Sequence, residues 1–222
     1  DSEDGKGKKI EDRLFTKESE GYNIKDVQKN YNDFSKQLNA TFSKYNINTC
    51  LRRLHFMAQI YHESQRLLST YEQHPSSSVF GGEFYRGRGL KQITHDYNYL
   101  RYYDYVYKTK FYDTYMSHRS GTGESVTKFN ERTKNKYIST KDMDKIKEFV
   151  KLISTDLYYA WDSAGWYWDI NNINVYADKD DIISVSALVN NPSAKNTKST
   201  DNINGFYERK KYYDMFKIIF NY

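Results

Sequence analysis

The stretch His55-Phe56-Met57-Ala58-Gln59-Ile60-Tyr61-His62-Glu63-Ser64 is the most informative part of this 222-residue chain. Its apolar residues recur at intervals of three and four, which predicts an α-helix with two neighbouring apolar stripes. A helix with two apolar faces is usually internal, so we expect Glu63 to lie where water is scarce. The first stripe is Leu51, Leu54, Ala58 and Tyr61, and the second is Phe56, Ile60 and Glu63.

Glu63 is a candidate general acid. Burial disfavours a carboxylate and raises its pKa, and the negative end of the helix dipole acts in the same direction if the helix ends near Ser64. A carboxyl group that keeps its proton near neutral pH can protonate a leaving group. The alternative is an exposed Glu at the rim of the helix, paired with Arg52 or Arg66, because acidic side chains are mostly exposed.

A second carboxyl group is needed for glycoside hydrolysis, and the sequence offers two candidates. Glu72 follows Glu63 by nine residues, which on one straight helix would separate them by about 13 Å. The helix must therefore end between them, near residues 66–70. Glu83 lies just before the Gly-rich block of residues 84–94 and competes for the same role. The residues alone leave this choice open.

Three motifs in order carry a resemblance to a known family. Residues 56–64, F-M-A-Q-I-Y-H-E-S, resemble the pattern F-L-A-Q-I-x-H-E-S, and residues 85–99 resemble Y-x-G-R-G-L-I-Q-L-T-x-x-x-N-Y. Residues 163–168, S-A-G-W-Y-W, are similar to S-A-G-W-F-W. The chain, over about residues 36–213, thus resembles the phage-type branch of family-19 glycoside hydrolases, which are chitinase-like lysozymes and endolysins.

The resemblance implies an activity and a catalytic set. The chain is expected to be a lysozyme that cleaves the β-1,4 glycan of peptidoglycan with inversion of configuration and without a metal or an organic cofactor. Glu63 matches the general acid and Glu72 matches the base that activates water. Thr94 matches the Ser or Thr that helps to hold this water. The implied partner is the peptidoglycan glycan strand.

Further residues are expected to bind the substrate. Gln92 and Asn98 match sugar-binding positions, and Asn190 corresponds to the Asn of an I-N-G-G motif whose glycines this chain lacks. His62 is interpreted as a hydrogen-bonding partner of the site. The Asn204-Gly205 and Glu208-Arg209 pairs resemble a closing N-G-x-x-[DE]-R motif. The complete predicted substrate-binding set is His62, Tyr85, Arg88, Gln92, Asn98, Trp166 and Asn190.

Other functions stay open. A chitinase acting on poly-N-acetylglucosamine is the nearest alternative, and a catalytically silent glycan-binding or envelope-interaction module is another. Retention of both Glu63 and Glu72 argues against the silent module. The Arg86-Gly87-Arg88-Gly89 stretch could bind nucleic acid, but one such stretch in a chain with a net charge of +5 is weak support for that function. We therefore predict no nucleic-acid partner.

Composition places limits on location and assembly. Cys50 is the single cysteine, which excludes an internal disulfide and fits synthesis in a reducing cytosol. We find neither an apolar run long enough to cross a membrane nor a signal-like start. The prediction is a monomer made in the cytoplasm that acts in the periplasm or cell wall of target or host bacteria. If it is a secretion-system effector, an immunity protein that blocks the cleft is expected as a partner.

The predicted fold is an α+β, mainly α-helical, lysozyme-like single domain with a small β-hairpin lining the cleft. Residues 1–21 are predicted to form a polar lead-in or linker, and residues 22–222 the hydrolase domain. The hairpin is expected within residues 79–94 because of its glycines and β-branched residues. A mobile insertion is expected at residues 117–137. Besides the helix around residue 60, helices are predicted near residues 27–45, 97–115, 139–157, 180–190 and 204–220.

Overall fold

The computed structural model describes residues 14–17, 21–75, 77–190, 192 and 199–222 and shows a mainly helical domain. The predicted fold class is confirmed in its mainly α-helical character. In the described residues, ten helices follow one another: α1 Tyr31–Lys44, α2 Cys50–Glu63, α3 Asp96–Tyr107, α4 Phe111–His118, α5 Val126–Arg132, α6 Thr140–Thr155, α7 Leu157–Ile170, α8 Asn174–Ala177, α9 Ile182–Asn190 and α10 Phe206–Ile219. None of the described helices combines the length and apolar character needed to cross a bilayer.

Helix α2 forms where the apolar periodicity predicts it. The Thr49 side chain caps its start by accepting a hydrogen bond from the backbone N–H of Arg52 at 3.2 Å. Residues 54–60 are buried, and α10 packs along the helix. The helix ends at Glu63, and the next turn contains three left-handed residues, Gln65, Arg66 and Leu67. The chain therefore reverses between Glu63 and Glu72, as predicted.

Helix α7 carries the 163–168 motif through the centre of the core. Trp161, Trp166 and Trp168 are all buried. Gly165 allows α1 to approach closely, because a Cβ atom there would lie 2.1 Å from Cδ2 of Tyr45. Helices α1 and α6 both pack against α7. The motif thus serves mainly to build the core behind the cleft.

The predicted β-hairpin is not observed. Residues 83–85 form a short 3₁₀ helix, and the β-type pairing among the described residues consists of two isolated bridges, Tyr71 with Arg88 and Arg88 with Ile93. Gly89 and Gln92 both have positive φ and turn the chain sharply between the paired positions. The pairing does not extend, because the 3₁₀ helix ends at Tyr85 on one side and α3 begins at Asp96 on the other, so the segment is an irregular loop.

Two boundary predictions are corrected by packing. Leu14 and Phe15 are buried in the core, and the backbone N–H of Phe15 donates to the Leu67 carbonyl at 2.9 Å. Part of the predicted lead-in therefore belongs to the domain, while residues 1–13 and 18–20 lie outside the described residues. The predicted insertion at residues 117–137 is also packed, since α5 buries Val126 and Phe129. These apolar side chains anchor the segment to the core.

Candidate functional site

A cleft of about 920 Å³ lies between the end of α2, the loop of residues 91–95 with the start of α3, and the ends of α7 and α9. Its charged groups are Glu63 at the end of α2, Glu72 in the segment after it, Lys91 in the loop, Arg101 on α3 and Arg209 on α10. Seven of the ten predicted site residues line this cleft although they span most of the chain: His62, Glu63, Glu72, Gln92, Thr94, Asn98 and Asn190.

Glu63 occupies the last position of α2, and its side chain is 13 % exposed. Its Oε1 atom accepts a hydrogen bond from Nη2 of Arg209 at 2.6 Å. Arg209 is itself held in place, since Nη1 donates to Oε1 of Gln59 at 2.8 Å and Nε donates to the Asn204 carbonyl at 3.0 Å. Helix α10 therefore supplies a rigid, buried cation to the carboxylate at the end of α2.

The charge state of Glu63 differs from the sequence-based prediction. Burial acts to raise the pKa of this carboxyl group, but the positive charges of Lys91 and Arg209 outweigh burial and bring the pKa below its ordinary value. The prediction of a raised pKa was wrong because it considered only the helix on which Glu63 lies. In the free protein at neutral pH, Glu63 is ionised.

Glu72 is held by the backbone of the glycine-rich loop. Its N–H donates to the Gly87 carbonyl at 2.9 Å, and the Gly87 N–H donates to its Oε2 atom at 2.8 Å. A Cβ atom at residue 87 would lie 2.7 Å from Oε1 of Gln92 and 3.2 Å from Oε2 of Glu72. The absence of a side chain at Gly87 therefore lets the Glu72 carboxylate and Gln92 approach the same stretch of backbone.

Glu83, the competing second carboxyl group, lies elsewhere. Its side chain is 73 % exposed and forms an ion pair with Arg86 three residues later. It does not line the cleft that contains Glu63. Of the two candidates left open by the sequence, Glu72 is the one that shares the cleft with Glu63.

Thr94, Gln92 and Asn98 form a hydrogen-bonded cleft wall. The Thr94 hydroxyl donates to the Gln92 carbonyl at 3.0 Å, and Nδ2 of Asn98 donates to the Thr94 carbonyl at 2.8 Å. Nε2 of Gln92 donates to the Gly89 carbonyl at 2.8 Å. Each side chain retains an oxygen that can accept a hydrogen bond. The wall is thus suited to bind hydroxyl groups or to orient a water molecule.

His62 and Asn190 complete the predicted residues of the cleft. The His62 ring packs against Gly205, where a Cβ atom would lie 2.3 Å from Cε1. Burial and the nearby Arg209 lower the pKa of His62, against the opposing effect of Glu63, so the ring is neutral at pH 7. Asn190 ends α9, and its Nδ2 atom lies 3.5 Å from the Asn202 carbonyl.

Three predicted substrate-binding residues are corrected to structural ones. Tyr85, Arg88 and Trp166 are buried and do not line the cleft. The Arg88 guanidinium lies over the ring of Tyr22 and donates to Oγ of Ser154 at 3.1 Å. These contacts hold the glycine-rich loop against the core. The arginine therefore shapes the loop that carries Gln92 and Thr94 and does not itself face a ligand.

Several cleft residues were missed as site residues, among them Lys91 and His95, and Arg209 had been noted only within a motif. Lys91 stands where the resembled pattern has Ile, a departure that could have drawn attention to it. Arg209 belongs to the closing motif, whose contact with Glu63 the sequence did not reveal. His95 accepts a hydrogen bond at Nδ1 from the Phe80 N–H at 3.2 Å, which in the neutral ring leaves the proton on Nε2. Burial lowers the pKa of His95, while Glu72 opposes this effect.

Comparison with known proteins does not assign the chain to a group. No family model matches it, and no curated protein matches it. Within the described part of the chain, no group of three or more His, Cys, Asp or Glu side chains is placed to hold a metal ion. The geometry of the cleft and the sequence motifs therefore carry the functional argument.

Proposed function

We propose that this protein is a lysozyme, a hydrolase that cleaves the β-1,4 bond between N-acetylmuramic acid and N-acetylglucosamine in peptidoglycan. The observation that carries the proposal is the presence of Glu63, Glu72 and Thr94 in one cleft, beside the amides of Gln92 and Asn98. Glycoside hydrolysis generally uses two carboxyl groups that flank the scissile bond, and the hydroxyl and amides beside them can bind water or sugar hydroxyls. The motif resemblance to phage-type family-19 hydrolases supports the same activity.

The proposed reaction is a single inverting displacement. Glu72 takes a proton from a water molecule as the water oxygen attacks the anomeric carbon, and Glu63 donates its proton to the leaving glycosidic oxygen. The Thr94 hydroxyl orients the water. One C–O bond forms, one breaks, and the proton lost by Glu63 is replaced by the one that Glu72 gained, through solvent.

The ion pair of Glu63 makes this reaction sensitive to pH. Only the protonated form of Glu63 can act as the general acid, and Lys91 and Arg209 hold its pKa below the ordinary value. The fraction of free enzyme with the required proton falls as the pH rises through this pKa. We therefore expect kcat/KM to be highest on the acidic side of neutrality.

The proposed setting follows from the substrate. The protein would act in the periplasm or cell wall of target or host bacteria, as a monomer on glycan strands. An immunity protein that protects a producing cell would act by covering the cleft that contains Glu63 and Glu72.

Digestion of purified peptidoglycan sacculi tests the activity. The wild type, Glu63→Gln, Glu72→Gln and Glu83→Gln are incubated with sacculi from pH 4 to pH 8, and released fragments are analysed by mass spectrometry. We expect fragments with a new reducing N-acetylmuramic acid end from the wild type and Glu83→Gln, and release slowed by about 10²-fold or more in the other two variants. Circular dichroism of each variant checks that folding is preserved.

Three other outcomes of the digestion would each lead to a different conclusion. Release of fragments by a well-folded Glu63→Gln at the wild-type rate would refute the mechanism. Cleavage of chitin oligomers without cleavage of sacculi would identify a chitinase. Binding to sacculi without cleavage of either substrate would identify a glycan-binding module.

A further inference from the structure

Lys91 is a buried cation that faces the cleft. The residue is 8 % exposed and lines the same cavity as Glu63 and Glu72. Its ammonium lies 4.4 Å from the centre of the Tyr167 ring, which also lines the cleft. Burial and the nearby Arg209 lower the pKa of Lys91, and the charge of Glu63 and the ring face only partly offset this effect. The lysine therefore places its amine in the lining of the cleft, against an aromatic ring.

No protein acceptor satisfies this ammonium. Among the described residues, no carboxylate oxygen lies within ion-pair distance of Lys91 Nζ, and no oxygen accepts a hydrogen bond from it. Glu63, the nearest candidate counterion, is already bonded to Arg209. An ammonium has three donors, and because Nζ of Lys91 is not among the buried side-chain atoms that lack a partner, these donors are open to the cleft. A ligand that supplied an anionic oxygen would take the place of solvent at these donors.

The charge balance of the cleft favours an anionic ligand. Lys91, Arg101 and Arg209 bring three positive charges to its lining, against the two carboxylates of Glu63 and Glu72. The two lining histidines, His62 and His95, have lowered pKa values and add no positive charge at neutral pH. Only Arg209 among the cations is bonded to one of these carboxylates. The lining therefore has an excess positive charge that a neutral chitin chain would not match.

We propose that Lys91 is a specificity-determining residue that binds a carboxylate carried on the muramic acid residue of the substrate. This inference rests on the proposed lysozyme function and adds the group that separates a muramyl glycan from chitin. N-acetylmuramic acid differs from N-acetylglucosamine by a lactyl ether, whose carboxyl group is free in denuded glycan and bears a peptide in intact peptidoglycan. The carboxylate that Lys91 recognises is therefore the lactyl group or one on the stem peptide.

Binding measurements with matched tetrasaccharides test this proposal. The parent protein is Glu72→Gln, which prevents turnover and in which the Gln oxygen can still accept the Gly87 N–H bond. Calorimetric titrations compare chitotetraose with two pairs of alternating glucosamine–muramic acid tetrasaccharides. In one pair the lactyl groups are free acids or methyl esters, and in the other the stem-peptide carboxyls are free or amidated. The same titrations are repeated after adding Lys91→Met or Lys91→Arg to the parent.

In the parent, we expect the acid member of one pair to bind about tenfold more tightly than its neutral counterpart, as one desolvated charge-assisted hydrogen bond provides. The pair that shows this difference identifies the carboxylate. Lys91→Met should remove the preference, so that the acid and its neutral counterpart bind equally, whereas Lys91→Arg should retain it because the charge remains. The acid-to-ester comparison in the parent needs no change at Lys91, so it stands even if Lys91→Met folds poorly.

Two kinds of result would overturn this proposal. Equal binding of both members in both pairs, or a preference that survives Lys91→Met, would overturn the role of Lys91 and leave the proposed hydrolase intact. Failure of all five tetrasaccharides to bind would overturn both this inference and the proposed function.

Discussion

Glu63 and Glu72 line the same cleft but are held by different kinds of partner. Glu63 is bonded to the Arg209 side chain, 146 residues away along the chain, and is influenced by Lys91. Glu72 exchanges two hydrogen bonds with the Gly87 backbone, 15 residues away. The difference teaches that the proton affinity of Glu63 depends on charges that lie far away along the chain and close in space. The position of Glu72 depends on the local shape of the backbone.

The largest expected effect comes from removing either carboxyl group. Glu63→Gln and Glu72→Gln should each reduce the rate of sacculus lysis by about 10²- to 10⁴-fold, as loss of a general acid or base does. Glu83→Gln, which removes an exposed carboxyl group outside the cleft, should keep the wild-type rate. Turbidity loss of a sacculus suspension measures all three. Equal rates for Glu72→Gln and wild type would remove Glu72 from the mechanism.

A smaller effect is expected from Gly87→Ala. The new methyl group would lie 2.7 Å from Oε1 of Gln92 and 3.2 Å from Oε2 of Glu72, so both side chains must move. We expect a loss of about tenfold or more in kcat, because small displacements of a catalytic group are costly. Thermal unfolding should change less than kcat, since φ at Gly87 is not in the left-handed region, the Gln92 side chain can yield, and Cβ of Glu72, at 3.2 Å, needs to move by only a few tenths of an ångström. The control is Gly123→Ala, where nothing lies within 4 Å of the added Cβ atom.

Gly205→Ala tests the contact between the start of α10 and His62. Gly205 has φ of 65°, and an added Cβ atom would overlap the His62 ring. Left-handed backbone strain at a non-glycine residue should lower the free energy of unfolding by about 1–3 kcal/mol. Urea denaturation measures the change. Gly121→Ala, with open space around it, should stay within about 0.5 kcal/mol of wild type. A stable Gly205→Ala would show that α10 can shift away from the cleft.

The smallest expected effect is a displaced pH profile in Lys91→Met. Loss of this cation raises the pKa of Glu63, because Lys91 is among the charges that lower it. Glu63, the proposed general acid, then keeps its proton to a higher pH, so the alkaline limb of the pH profile of kcat/KM on sacculi should move to higher pH. Lys91→Arg should leave the limb in place because it keeps the charge. If the alkaline limb moves to lower pH or does not move, the pH dependence of kcat/KM does not come from Glu63.

Local patterns predicted the helical part of the fold well. The spacing of Leu54, Phe56 and Ile60 identified α2, and Ser139 caps α6 by accepting from the Asp142 N–H as its position indicated. The Tyr-rich stretch near residues 97–115 is helical but divides into α3 and α4, with the left-handed Lys108 between them. Turn geometry depends on single residues, which periodicity does not resolve.

The glycine-rich loop contains residues whose orientation the motif did not predict. Gln92, Thr94 and Asn98 line the cleft as expected, but Tyr85 and Arg88 from the same motif point into the core. A motif records that residues occur together and does not separate those that face a ligand from those that support the loop. Arg88 supports the loop, because its guanidinium packs against Tyr22 and donates to Ser154 in the core.

The sequence by itself determined the position of α2, the reversal of the chain between Glu63 and Glu72, and seven of the residues that line the cleft. These features depend on apolar spacing, caps and turns, which act over a few residues. Only the tertiary structure decided the charge state of Glu63, the presence of Glu72 and not Glu83 in the cleft, and the position of Lys91 beside them. Electrostatic attraction and desolvation depend on distances in space, and α10 reaches Glu63 only once the chain has folded.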